Sequence, residues 1–539
     1  MILPRVKTIQ TNAEQFILPY WITMQIADVE EAKLSCLMEC FFPKSIVTFS
    51  ADEAHIRTKK QETLGEEAYT LQISGSGIQI GYGSYRGLRN ALATVASMAV
   101  AGSDGYSLDG TVVEDAPVAA HRGVMLDLAR GIMPLERVKD DVILIAKAKI
   151  NILHLHLYDS KGSCMQLDSL PETCCIENYY SKAQMRELAA LADALALEVI
   201  PEFDMPAHSK QLLKVLPDLG CALPDGQENT NWTICAGSEE VYSLYETVIQ
   251  EIAEVFPGEY FHVGGDELEF QDLPQPLLCH WEQCSRCRQK MQEEGLANRQ
   301  ELLYHFLNRI NESVKGIGRQ MIMWSDQIDC TMPRGLSEDI IMHFWRVAGK
   351  GRGPHENCSM NGQLAMGYTM VNSYYPETYV DIESYISSEK LTDWRWDLRP
   401  DCDEAYKAQI IGSELCVWEY GNKRQYSHYD RSLAPAIFLM ADKLWNGDVL
   451  VYDVAYRQAL TKGVLGIGAE ADLDLFQCLG DVLPPRTEEY AYYEKITCDK
   501  EAVLKTLEKL NAVQCLDTGS AFRVETYAKC LEYIVQKLN

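Results

Sequence analysis

The sequence predicts a (β/α)8 barrel that follows a small α+β domain and precedes a short helical region. Eight short apolar segments alternate with amphipathic helical segments between residues 123 and 418, which is typical of a parallel barrel with helices outside it. A hairpin pattern stands before this repeat, and only helical patterns stand after it. From residue 122 to about residue 455, where the strand–helix pattern ends, the repeat extends over about 330 residues, which fits a barrel with insertions because such barrels range from about 200 to more than 400 residues.

The first 115 residues are expected to form the α+β domain. Residues 69–74 and 78–82 alternate apolar and polar side chains on either side of a glycine-rich turn, and this pattern predicts a β-hairpin. Residues 86–100 have apolar side chains at helical spacing, so a helix should pack on the small sheet. Pro117 marks the boundary with the next unit.

Residues 116–455 are expected to form the barrel, and residues 456–539 a helical C-terminal region with helices at 501–510 and 521–538. The strand candidates of the barrel are residues 123–128, 150–157, 199–205, 260–264, 320–325, 340–345, 370–374 and 410–418. A doubly wound open sheet is the alternative. We disfavour it because no glycine-rich phosphate-binding loop follows the first strand candidate.

The charge balance limits the partners of the chain. It holds 78 acidic and 49 basic residues, which gives a formal net charge of −29. Nucleic acids and anionic membranes bind basic patches, so neither is an expected partner. No segment reaches the roughly 18 apolar residues of a membrane span, and the N-terminus lacks the apolar core of a signal peptide. We therefore expect a cytoplasmic protein whose 18 cysteines are reduced.

One group of cysteines raises the question of a metal. Cys279, His280, Cys284 and Cys287 lie within nine residues and could contribute ligands to zinc. The same spacing suits one face of an ordinary helix, and a matching second cysteine pair is not evident nearby. We favour reduced thiols, and a structural zinc site is the alternative.

The candidate functional residues stand at the ends of the strands, because a parallel barrel brings the carboxyl ends of its strands together. Asp266 and Glu267 follow an apolar strand and two glycines. Adjacent carboxylates push each other's pKa values apart, so one can stay protonated while the other is ionised. The simpler interpretation is that two acids begin a helix, where its dipole favours them.

Aromatic and carboxylate side chains at the other strand ends describe a sugar site. Tryptophan faces stack on the C–H faces of a sugar, and carboxylates accept hydrogen bonds from its hydroxyls. Cleavage of a glycosidic bond also needs a protonated acid and a group that stabilises developing positive charge. The candidates are Arg122, His156, Asp159, Asp204, His208, His262, Trp324, Trp345, Tyr379, Asp381, Trp418 and Glu419.

Four long motifs resemble those of glycoside hydrolase family 20, the β-N-acetylhexosaminidases. They are HRGVMLD at 121–127, KINILHLHL at 149–157, PEFDMPAHS at 201–209 and HVGGDE at 262–267. The motifs stand in the family's order and are spread across the predicted barrel. The resemblance extends to the predicted hairpin and helix of the first domain, and so covers roughly residues 65–450.

The resemblance implies an exo-acting, retaining enzyme that removes terminal non-reducing β-linked GlcNAc or GalNAc. Glu267 would be the general acid/base. Asp266 would orient the substrate's own 2-acetamido group, whose carbonyl attacks the anomeric carbon and forms an oxazolinium ion. Tyr379 would donate a hydrogen bond to the acetamido oxygen. No metal or organic cofactor is expected, and the partner would be an oligosaccharide or a glycoconjugate.

The same resemblance implies two further groups of residues. Trp324, Trp345 and Trp418 would wall the pocket, and Arg122 would bind sugar hydroxyls through its planar guanidinium. The full set of implied substrate contacts is Arg122, Asp159, His208, Trp324, Trp345, Tyr379, Asp381, Trp418 and Glu419. The residues expected to lie behind the acids and hold them are Asp204, His262 and His156, with Asp159 and His208 able to do so as well.

The chain departs from the family's pattern at three places. Residues 160–164 (SKGSC) stand where members have Asp, Gln, Gly and Trp; Arg130 is followed by Gly-Ile rather than His-Phe; and Tyr420 stands where a glutamate is expected. These changes affect contacts with sugar hydroxyls more than bond cleavage. They leave two alternatives open, a glycan-binding protein without turnover and a glycosidase of another specificity, such as one that releases a disaccharide.

Overall fold

The computed structural model describes residues 1–538 except 27, 51–52, 272, 334, 347–354, 382–390, 392–393, 398, 400–401, 422–425, 448, 467, 470–471 and 480–497. Two sheets organise the described chain, an eight-stranded N-terminal sheet and a larger sheet that closes into a barrel. No helix within the described ranges is both long and apolar enough to cross a membrane.

The N-terminal sheet is mixed, and its strands run in the order β1-β8-β5-β6-β4-β2-β3, with β7 paired to β8. The strands are β1 (Thr8–Pro19), β2 (Trp21–Gln25), β3 (Ile46–Phe49), β4 (Ile56–Lys60), β5 (Tyr69–Ser74), β6 (Gly77–Tyr82), β7 (Val100–Ala101) and β8 (Gly105–Asp115). The predicted hairpin is confirmed as β5 and β6. Strand β1 was not predicted, because most of its side chains are exposed and polar and show no apolar alternation.

The barrel contains eight parallel strands: β9 (His121–Asp127), β10 (Ile152–Asp159), β13 (Glu198–Met205), β14 (Tyr260–Gly264), β15 (Gln320–Trp324), β16 (Ile341–Phe344), β17 (Met370–Asn372) and β19 (Ile410–Val417). Strand β9 pairs with β10 on one side and with β19 on the other, so the sheet is closed. Closure excludes the open doubly wound sheet. All eight predicted strands are confirmed, with ends that differ by at most two residues.

Three short strands extend this sheet. They are β11 (Gly162–Met165), β12 (Cys175–Tyr180) and β18 (Tyr379–Val380). Strand β11 pairs antiparallel with β10, and β12 pairs with β11, so the two form a flap beyond the carboxyl end of β10. Strand β18 adds to β19 beside the barrel mouth.

Helices surround the barrel and form the C-terminal region. In chain order they are α1 (Glu31–Phe41), α2 (Tyr85–Met98), α3 (Leu135–Lys147), α4 (Lys182–Ala194), α5 (Lys210–Val215), α6 (Glu239–Val255), α7 (Ser285–Glu294), α8 (Arg299–Gly316), α9 (Met360–Ala365), α10 (Tyr375–Thr378), α11 (Tyr426–Asn446), α12 (Val454–Leu465), α13 (Leu475–Leu479), α14 (Lys500–Asn511) and α15 (Thr518–Lys537). Short 3-10 helices occupy Glu172–Cys174, Pro217–Leu219 and Glu404–Gln409. The predicted C-terminal helices are confirmed as α14 and α15.

Amphipathic patterning explains how the outer helices pack. Helix α6, for example, buries Tyr245, Ile249 and Ile252 on the face toward the barrel. Each large apolar side chain buried in this way contributes about 1.5–3 kcal/mol. The barrel strands themselves are buried on both faces, which is why they appear in the sequence as continuous apolar runs.

A buried polar cluster joins the N-terminal sheet to the bottom of the barrel. Lys149 Nζ lies 3.0 Å from Asp115 Oδ2 and donates to the Tyr69 hydroxyl at 2.9 Å. The Trp445 indole donates to the other Asp115 oxygen at 2.9 Å. Because each buried charge has a partner, the interface avoids the cost of an unpaired ion.

Candidate active site

The turn after β14 brings Asp266 and Glu267 to the barrel mouth. Gly264 and Gly265 have φ angles of 70° and 96°, which favour glycine. A Cβ on Gly264 would lie 1.8 Å from Asp204 Oδ1, so no larger residue fits against that carboxylate. The interpretation of the two acids as a helix start is wrong, because the described chain enters its next helix, α7, only at Ser285.

Three residues at strand ends have left-handed backbone conformations. Their φ angles are 49° for Glu267, 55° for His208 and 54° for Glu419. A residue with a Cβ loses of order 1 kcal/mol or more in this region, and such strain clusters at functional sites. Each of the three directly follows a barrel strand or its turn, so the strain re-aims side chains around the mouth.

His208 lies at the centre of a group of carboxylates. Its Nε2 is 3.3 Å from Glu267 Oε2, 3.8 Å from Asp204 Oδ2 and 3.9 Å from Asp266 Oδ2. Its Nδ1 is 3.1 Å from Asp159 Oδ2. Burial lowers the pKa of His208, but Asp204 and Asp159 outweigh it and hold that pKa well above its usual value. A positive charge therefore stands among the acids near neutral pH.

Several carboxyl groups at the mouth retain protons at unusually high pH. Burial is the main cause that raises the pKa of Asp266, and the charge of Asp204 adds to it. Burial likewise raises the pKa of Asp204 to about 7 and that of Asp326 to about 6. Like charges close together in a dry site cannot all ionise, so protons are shared among these groups.

Asp326 holds the turn that contains Glu267. Its Oδ2 accepts a hydrogen bond from the Glu267 backbone N–H at 3.1 Å and another from the Gln327 side chain at 2.8 Å. On the other side, the Trp232 indole donates to the Glu267 carbonyl at 2.8 Å, and its ring lies 4.4 Å from that of His208. Sequence reasoning assigned no role to Asp326 or Trp232.

Arg130 is another residue at the mouth to which the sequence assigned no role. Its guanidinium lies 2.7 Å from Asp159 Oδ2 and 3.1 Å from Asp127 Oδ2, and packs 4.8 Å from the centre of the Trp418 ring. It thus stands at the carboxyl end of β9, at the mouth of the pocket. Its position three residues after the first motif, just before the chain departs from the family's pattern, was the signal that could have found it.

The assignment of Arg122 to the pocket is wrong. Arg122 is the second residue of β9, at the strand's amino end, and its side chain is fully buried. It donates to the Ala119 carbonyl at 2.8 Å and to the Lys149 carbonyl at 3.1 Å, and it forms an ion pair with Glu67. These partners hold the N-terminal sheet to the bottom of the barrel, so Arg122 supports the fold and cannot reach a sugar at the mouth.

The predicted aromatic residues come together in one wall. The rings of Trp345 and Tyr379 are 6.1 Å apart and nearly parallel, with planes 6° apart. Trp418 lies 5.9 Å from Tyr379 and 5.8 Å from Trp324. Trp345 and Trp418 are half-buried, whereas Trp324 and Tyr379 are buried. Trp345 and Trp418 are therefore the partly exposed indoles of the wall.

Tyr379 is the member of this wall whose hydroxyl interacts electrostatically with the acids. Burial is the main cause that raises the pKa of Tyr379 well above its usual value, so the hydroxyl keeps its proton. The charges of Asp266 and Asp381 add to this effect. A protonated phenol is a hydrogen-bond donor, whereas an ionised carboxylate is an acceptor.

His156 and His262 lie one layer below the mouth. His156 Nδ1 is 2.5 Å and His262 Nδ1 is 3.2 Å from Glu202, which also accepts a hydrogen bond from the Trp324 indole at 2.7 Å and lies 3.2 Å from His154 Nε2. Both histidines bind Glu202 beneath the aromatic wall, and His262 Nδ1 also accepts a hydrogen bond at 3.1 Å from the Gly264 N–H of the turn that carries the two acids. Only His156 also contacts the carboxylates behind His208, with Nε2 3.3 Å from Asp159.

The resemblance implies that Asp159 and His208 contact the substrate, but their surroundings give them a different position. Asp159 is fully buried, and its carboxylate binds Arg130, His208 and His156. His208 is also buried, against Glu267. Both residues therefore lie behind Glu267 and Arg130, as the alternative interpretation of their roles proposed, together with Asp204.

The structure at the end of β19 explains why Tyr420 can stand where the family's pattern has a glutamate. Tyr420 is buried, and its hydroxyl donates to Asp141 of α3 at 2.5 Å, so it faces away from the mouth. Glu419 remains half-buried at the strand end, where its backbone N–H donates to Asp127 at 2.8 Å. Asp381, directly after β18, is also half-buried beside the wall. These two are the carboxylates on that side of the pocket.

The departure at residues 160–164 leaves a flap instead of a tryptophan. Ser160 donates to Asp159 Oδ1 from its hydroxyl at 2.6 Å, and Lys161 Nζ donates to the Arg130 carbonyl at 2.9 Å. Strand β11 then pairs with β10. The residues that replace the family's sequence therefore bind Asp159 and Arg130 from above.

Two adjacent carboxylates beside a wall of tryptophans, at the carboxyl end of a closed barrel, are the arrangement of a glycoside-cleaving enzyme. Residues 120–448 match the family model of the glycosyl hydrolase family 20 catalytic domain, and residues 1–116 match that of the family's domain 2. The chain belongs to glycosyl hydrolase family 20. The resemblance inferred from the four sequence motifs is confirmed.

Relatives and solved structures agree with this membership. A "Beta-hexosaminidase" of Porphyromonas gingivalis is 24% identical over 71% of this chain and 51% of its own length. One of Vibrio furnissii is 28% identical over 63% of this chain and 57% of its own. The chain thus spans little more than half the length of these relatives.

The fold is also that of solved family members. A family 20 exo-β-N-acetylglucosaminidase of Vibrio harveyi, solved in complex with N-acetylglucosamine, superposes with a TM-score of 0.72 at 23% identity. The match covers 86% of this chain and 76% of that one. At this identity the likeness shows a shared fold.

Proposed function

We propose that the protein is an exo-acting, retaining β-N-acetylhexosaminidase that hydrolyses terminal non-reducing β-linked GlcNAc or GalNAc. The observation that carries this proposal is the placement of Asp266 and Glu267 on one turn around His208, at the barrel mouth that also holds the wall of tryptophans and Tyr379. The names of the Porphyromonas and Vibrio relatives and the sugar bound to the Vibrio harveyi enzyme support it.

The substrate's acetamido group would supply the nucleophile. Asp266 accepts the acetamido N–H, and Tyr379 donates its hydroxyl hydrogen to the acetamido carbonyl, so the carbonyl oxygen is held under the anomeric carbon. Its attack breaks the glycosidic bond and forms an oxazolinium ion. Because the attacking atom is tethered to the sugar, proximity replaces a nucleophile from the enzyme. The positive charge that develops on the acetamido nitrogen favours ionisation of Asp266, whose pKa burial raises in the free protein, and the carboxylate then stabilises that charge.

Glu267 would handle the protons of both steps. It protonates the leaving oxygen as the glycosidic bond breaks, and it then removes a proton from the water that opens the oxazolinium ion. Two displacements at the anomeric carbon give retention of configuration. His208, 3.3 Å away, and Asp326, which binds the Glu267 N–H, hold the side chain and its turn in position.

Arg130 would contact the hydroxyls of the terminal sugar. Its side chain is 19% exposed, so part of the guanidinium reaches the pocket although Asp127 and Asp159 bind its other side. Five N–H donors allow one face to serve carboxylates and the other a diol. Glu419 and Asp381 would accept hydrogen bonds from the same hydroxyls on the opposite side.

Hydrolysis of nitrophenyl β-glycosides tests the proposal. We expect release of nitrophenol from the GlcNAc or GalNAc derivative, none from the glucose or galactose derivative, and inhibition by a thiazoline analogue of the oxazolinium ion. Equal cleavage of sugars that lack the acetamido group would contradict the mechanism.

Tyr379→Phe should lower kcat by about 10²-fold, since it removes one donor to the attacking group. Tyr375→Phe, in the neighbouring and more exposed tyrosine, is the control.

A glycan-binding protein without turnover is the second candidate. The replacement of the expected glutamate by Tyr420, which faces Asp141, favours it. Calorimetric binding of GlcNAc-terminated oligosaccharides combined with their recovery uncleaved would support this alternative. Their cleavage would exclude it.

A further inference from the structure

Four cysteines from two separate segments meet in the interior beside the barrel. Cys221 and Cys235 lie between β13 and α6, and Cys284 and Cys287 lie at the start of α7. All four are buried, and their sulfur atoms all lie within 4.8 Å of one another. Two of the four belong to the group noticed in the sequence, whereas the other two are 49 or more residues away along the chain.

The spacing of the sulfurs fits a tetrahedral metal site. Cys235 Sγ lies 3.6 Å from Cys284 Sγ and 3.6 Å from Cys287 Sγ. In a tetrahedral site with zinc–sulfur bonds of about 2.3 Å, neighbouring sulfurs are separated by about 3.8 Å. A thiol pair joined covalently would be about 2.05 Å apart. The observed arrangement is close to the first geometry and far from the second.

The surroundings of the cluster suit bound thiolates. Cys284 is the residue that caps the N-terminus of α7, where the helix dipole favours negative charge. Arg286 stands between the two cysteines of that turn, and its guanidinium donates to the Asp218 carbonyl at 3.1 Å and to the Gly220 carbonyl. It thereby brings a positive charge to the Cys221 segment, which partly offsets the two excess negative charges of four thiolates around a divalent ion.

The two segments are also packed closely enough to keep the cluster closed. A Cβ on Gly237 would lie 2.4 Å from the Arg286 carbonyl, so glycine is required where the chain after Cys235 passes α7. The Ser285 N–H donates to the Ala222 carbonyl at 3.2 Å, and the Cys235 N–H donates to the Leu219 carbonyl at 3.0 Å. Backbone hydrogen bonds therefore fix both cysteine pairs.

We infer that Cys221, Cys235, Cys284 and Cys287 form a closed, structural zinc site. Four sulfur ligands in tetrahedral arrangement with no open position are typical of zinc sites that stabilise a fold. This inference revises the preference for ordinary reduced thiols, and it changes the expected ligand set. Cys279 lies outside the cluster, and His280 Nε2 instead lies 3.3 Å from the Thr230 hydroxyl and backbone nitrogen.

The site would clamp the segment that holds the Glu267 turn. Two residues just before Cys235 bind that turn: Trp232 donates to the Glu267 carbonyl at 2.8 Å, and the Thr233 hydroxyl donates to the Leu268 carbonyl at 3.1 Å. The Trp281 indole, three residues before Cys284, donates to the Ile234 carbonyl at 2.7 Å. Any effect of zinc on activity rests on the proposed role of Glu267, whereas the presence of zinc does not.

Elemental analysis of the purified full-length protein tests the inference directly. Protein produced with zinc in the medium and purified without chelators should contain about one zinc per chain, since one closed four-cysteine site binds one ion. Cys284→Ser and Cys221→Ser should lower the zinc content roughly tenfold, because a closed site needs all four ligands. Cys279→Ser, a buried neighbour outside the cluster, is the matched control and should retain zinc.

Either of two results would overturn the inference. One is wild-type protein with substoichiometric zinc, or with iron in its place; the other is full zinc content in Cys284→Ser. Should the serine variants fail to fold, wild-type protein grown with cobalt gives an independent test. Bound cobalt should show the intense visible absorption of tetrahedral thiolate coordination, and weak absorption typical of octahedral cobalt would contradict the site. Hydrolytic activity enters none of these measurements.

Discussion

His208 Nε2 lies 3.3 Å from Glu267 Oε2, and both residues have left-handed backbone conformations directly beyond adjacent barrel strands. Strands β13 and β14 pair in parallel, with one register shift between the Glu202–His262 pair and the Met205–Gly264 pair, and the second of these pairs brings their carboxyl ends together. His208 is in turn held by Asp159. The acid therefore receives its position from the barrel itself, through two strained turns that only a closely packed mouth can stabilise.

Glu267→Gln tests the proposed acid/base. Glutamine keeps the size and the contact with His208 but cannot release a proton, so kcat for a substrate with a poor leaving group should fall by about 10²–10⁴-fold. A nitrophenyl substrate should be affected less in bond cleavage, because its leaving group needs little protonation. Steady-state kinetics on both substrates measure the difference. Undiminished turnover of the poor leaving group would refute the assignment.

Glu269→Gln is the matched control for that experiment. Glu269 lies on the same turn, two residues further on, and its carboxylate forms an ion pair with Arg299 at 2.8 Å. The substitution is identical, but this side chain faces away from His208 and the acids. We expect near-normal kcat, so a large loss in both variants would point to damage of the turn and not to a lost proton donor.

The barrel could be predicted from the sequence because burial of its strands produces a pattern within short segments of the chain. Parallel strands buried on both faces appear as apolar runs, and the turn after β14 is marked by two glycines, the first of which the Asp204 carboxylate requires. Strand β1 could not be predicted, since its exposed polar side chains carry no pattern. Its pairing with β8 depends on partners about a hundred residues away.

The sequence predicted which types of residue form the site, but not at which end of the barrel each of them lies. Arg122 and Arg130 both belong to the first motif region, yet one binds Glu67 below the barrel and the other binds Asp159 at the mouth. The two arginines differ in position because Arg122 lies at the amino end of β9, whereas Arg130 lies just beyond its carboxyl end. The cysteine cluster was missed for a related reason, because Cys221 approaches Cys284 through the fold and not through spacing in the sequence.

Asp204→Asn should change how stability depends on pH. The folded state raises the pKa of Asp204 from 3.8 to about 7, mainly through burial. The folded protein therefore keeps a proton that the unfolded chain releases. The contribution of Asp204 to the free energy of unfolding is complete below about pH 4 and is lost as the pH rises through about 7. Asparagine cannot ionise, so the variant should lose less stability over this window than the wild type.

Thermal unfolding from about pH 3 to about pH 9 measures this difference, since the window brackets both pKa values of the carboxyl group. Asp225→Asn, at an exposed position, is the control and should follow the wild-type curve. A steeper loss of stability in Asp204→Asn on the alkaline side would show that the His208–Asp204 attraction outweighs the burial of the carboxylate.

Arg130→Lys and Arg122→Lys should have opposite phenotypes. Lysine at 130 keeps the charge near Asp159 but loses the planar fork, so KM for the sugar should rise roughly tenfold or more while the fold is kept. Lysine at 122 cannot serve Glu67 and the two carbonyls together, and disrupting this buried pair should cost about 3 kcal/mol of stability with KM unchanged. Kinetics and denaturant unfolding on both variants separate the roles.

Gly264→Ala separates a steric requirement from a conformational one. Gly264 has a φ of 70° and its Cβ would lie 1.8 Å from Asp204 Oδ1, whereas Gly295 has a φ of 69° with nothing within 4 Å. Alanine at 295 should therefore cost only the left-handed backbone penalty of about 1 kcal/mol. Alanine at 264 should cost more by about 1–3 kcal/mol, since it also overpacks the site.

Urea unfolding and steady-state kinetics on the two alanine variants give the comparison. Gly264→Ala should lose activity together with stability, because the displaced Asp204 is one of the carboxylates around His208. Gly295 follows the last residue of helix α7 at the surface, so Gly295→Ala should keep full activity. Equal losses of stability in both variants would mean that the turn yields without strain, and that the two glycines serve the backbone conformation alone.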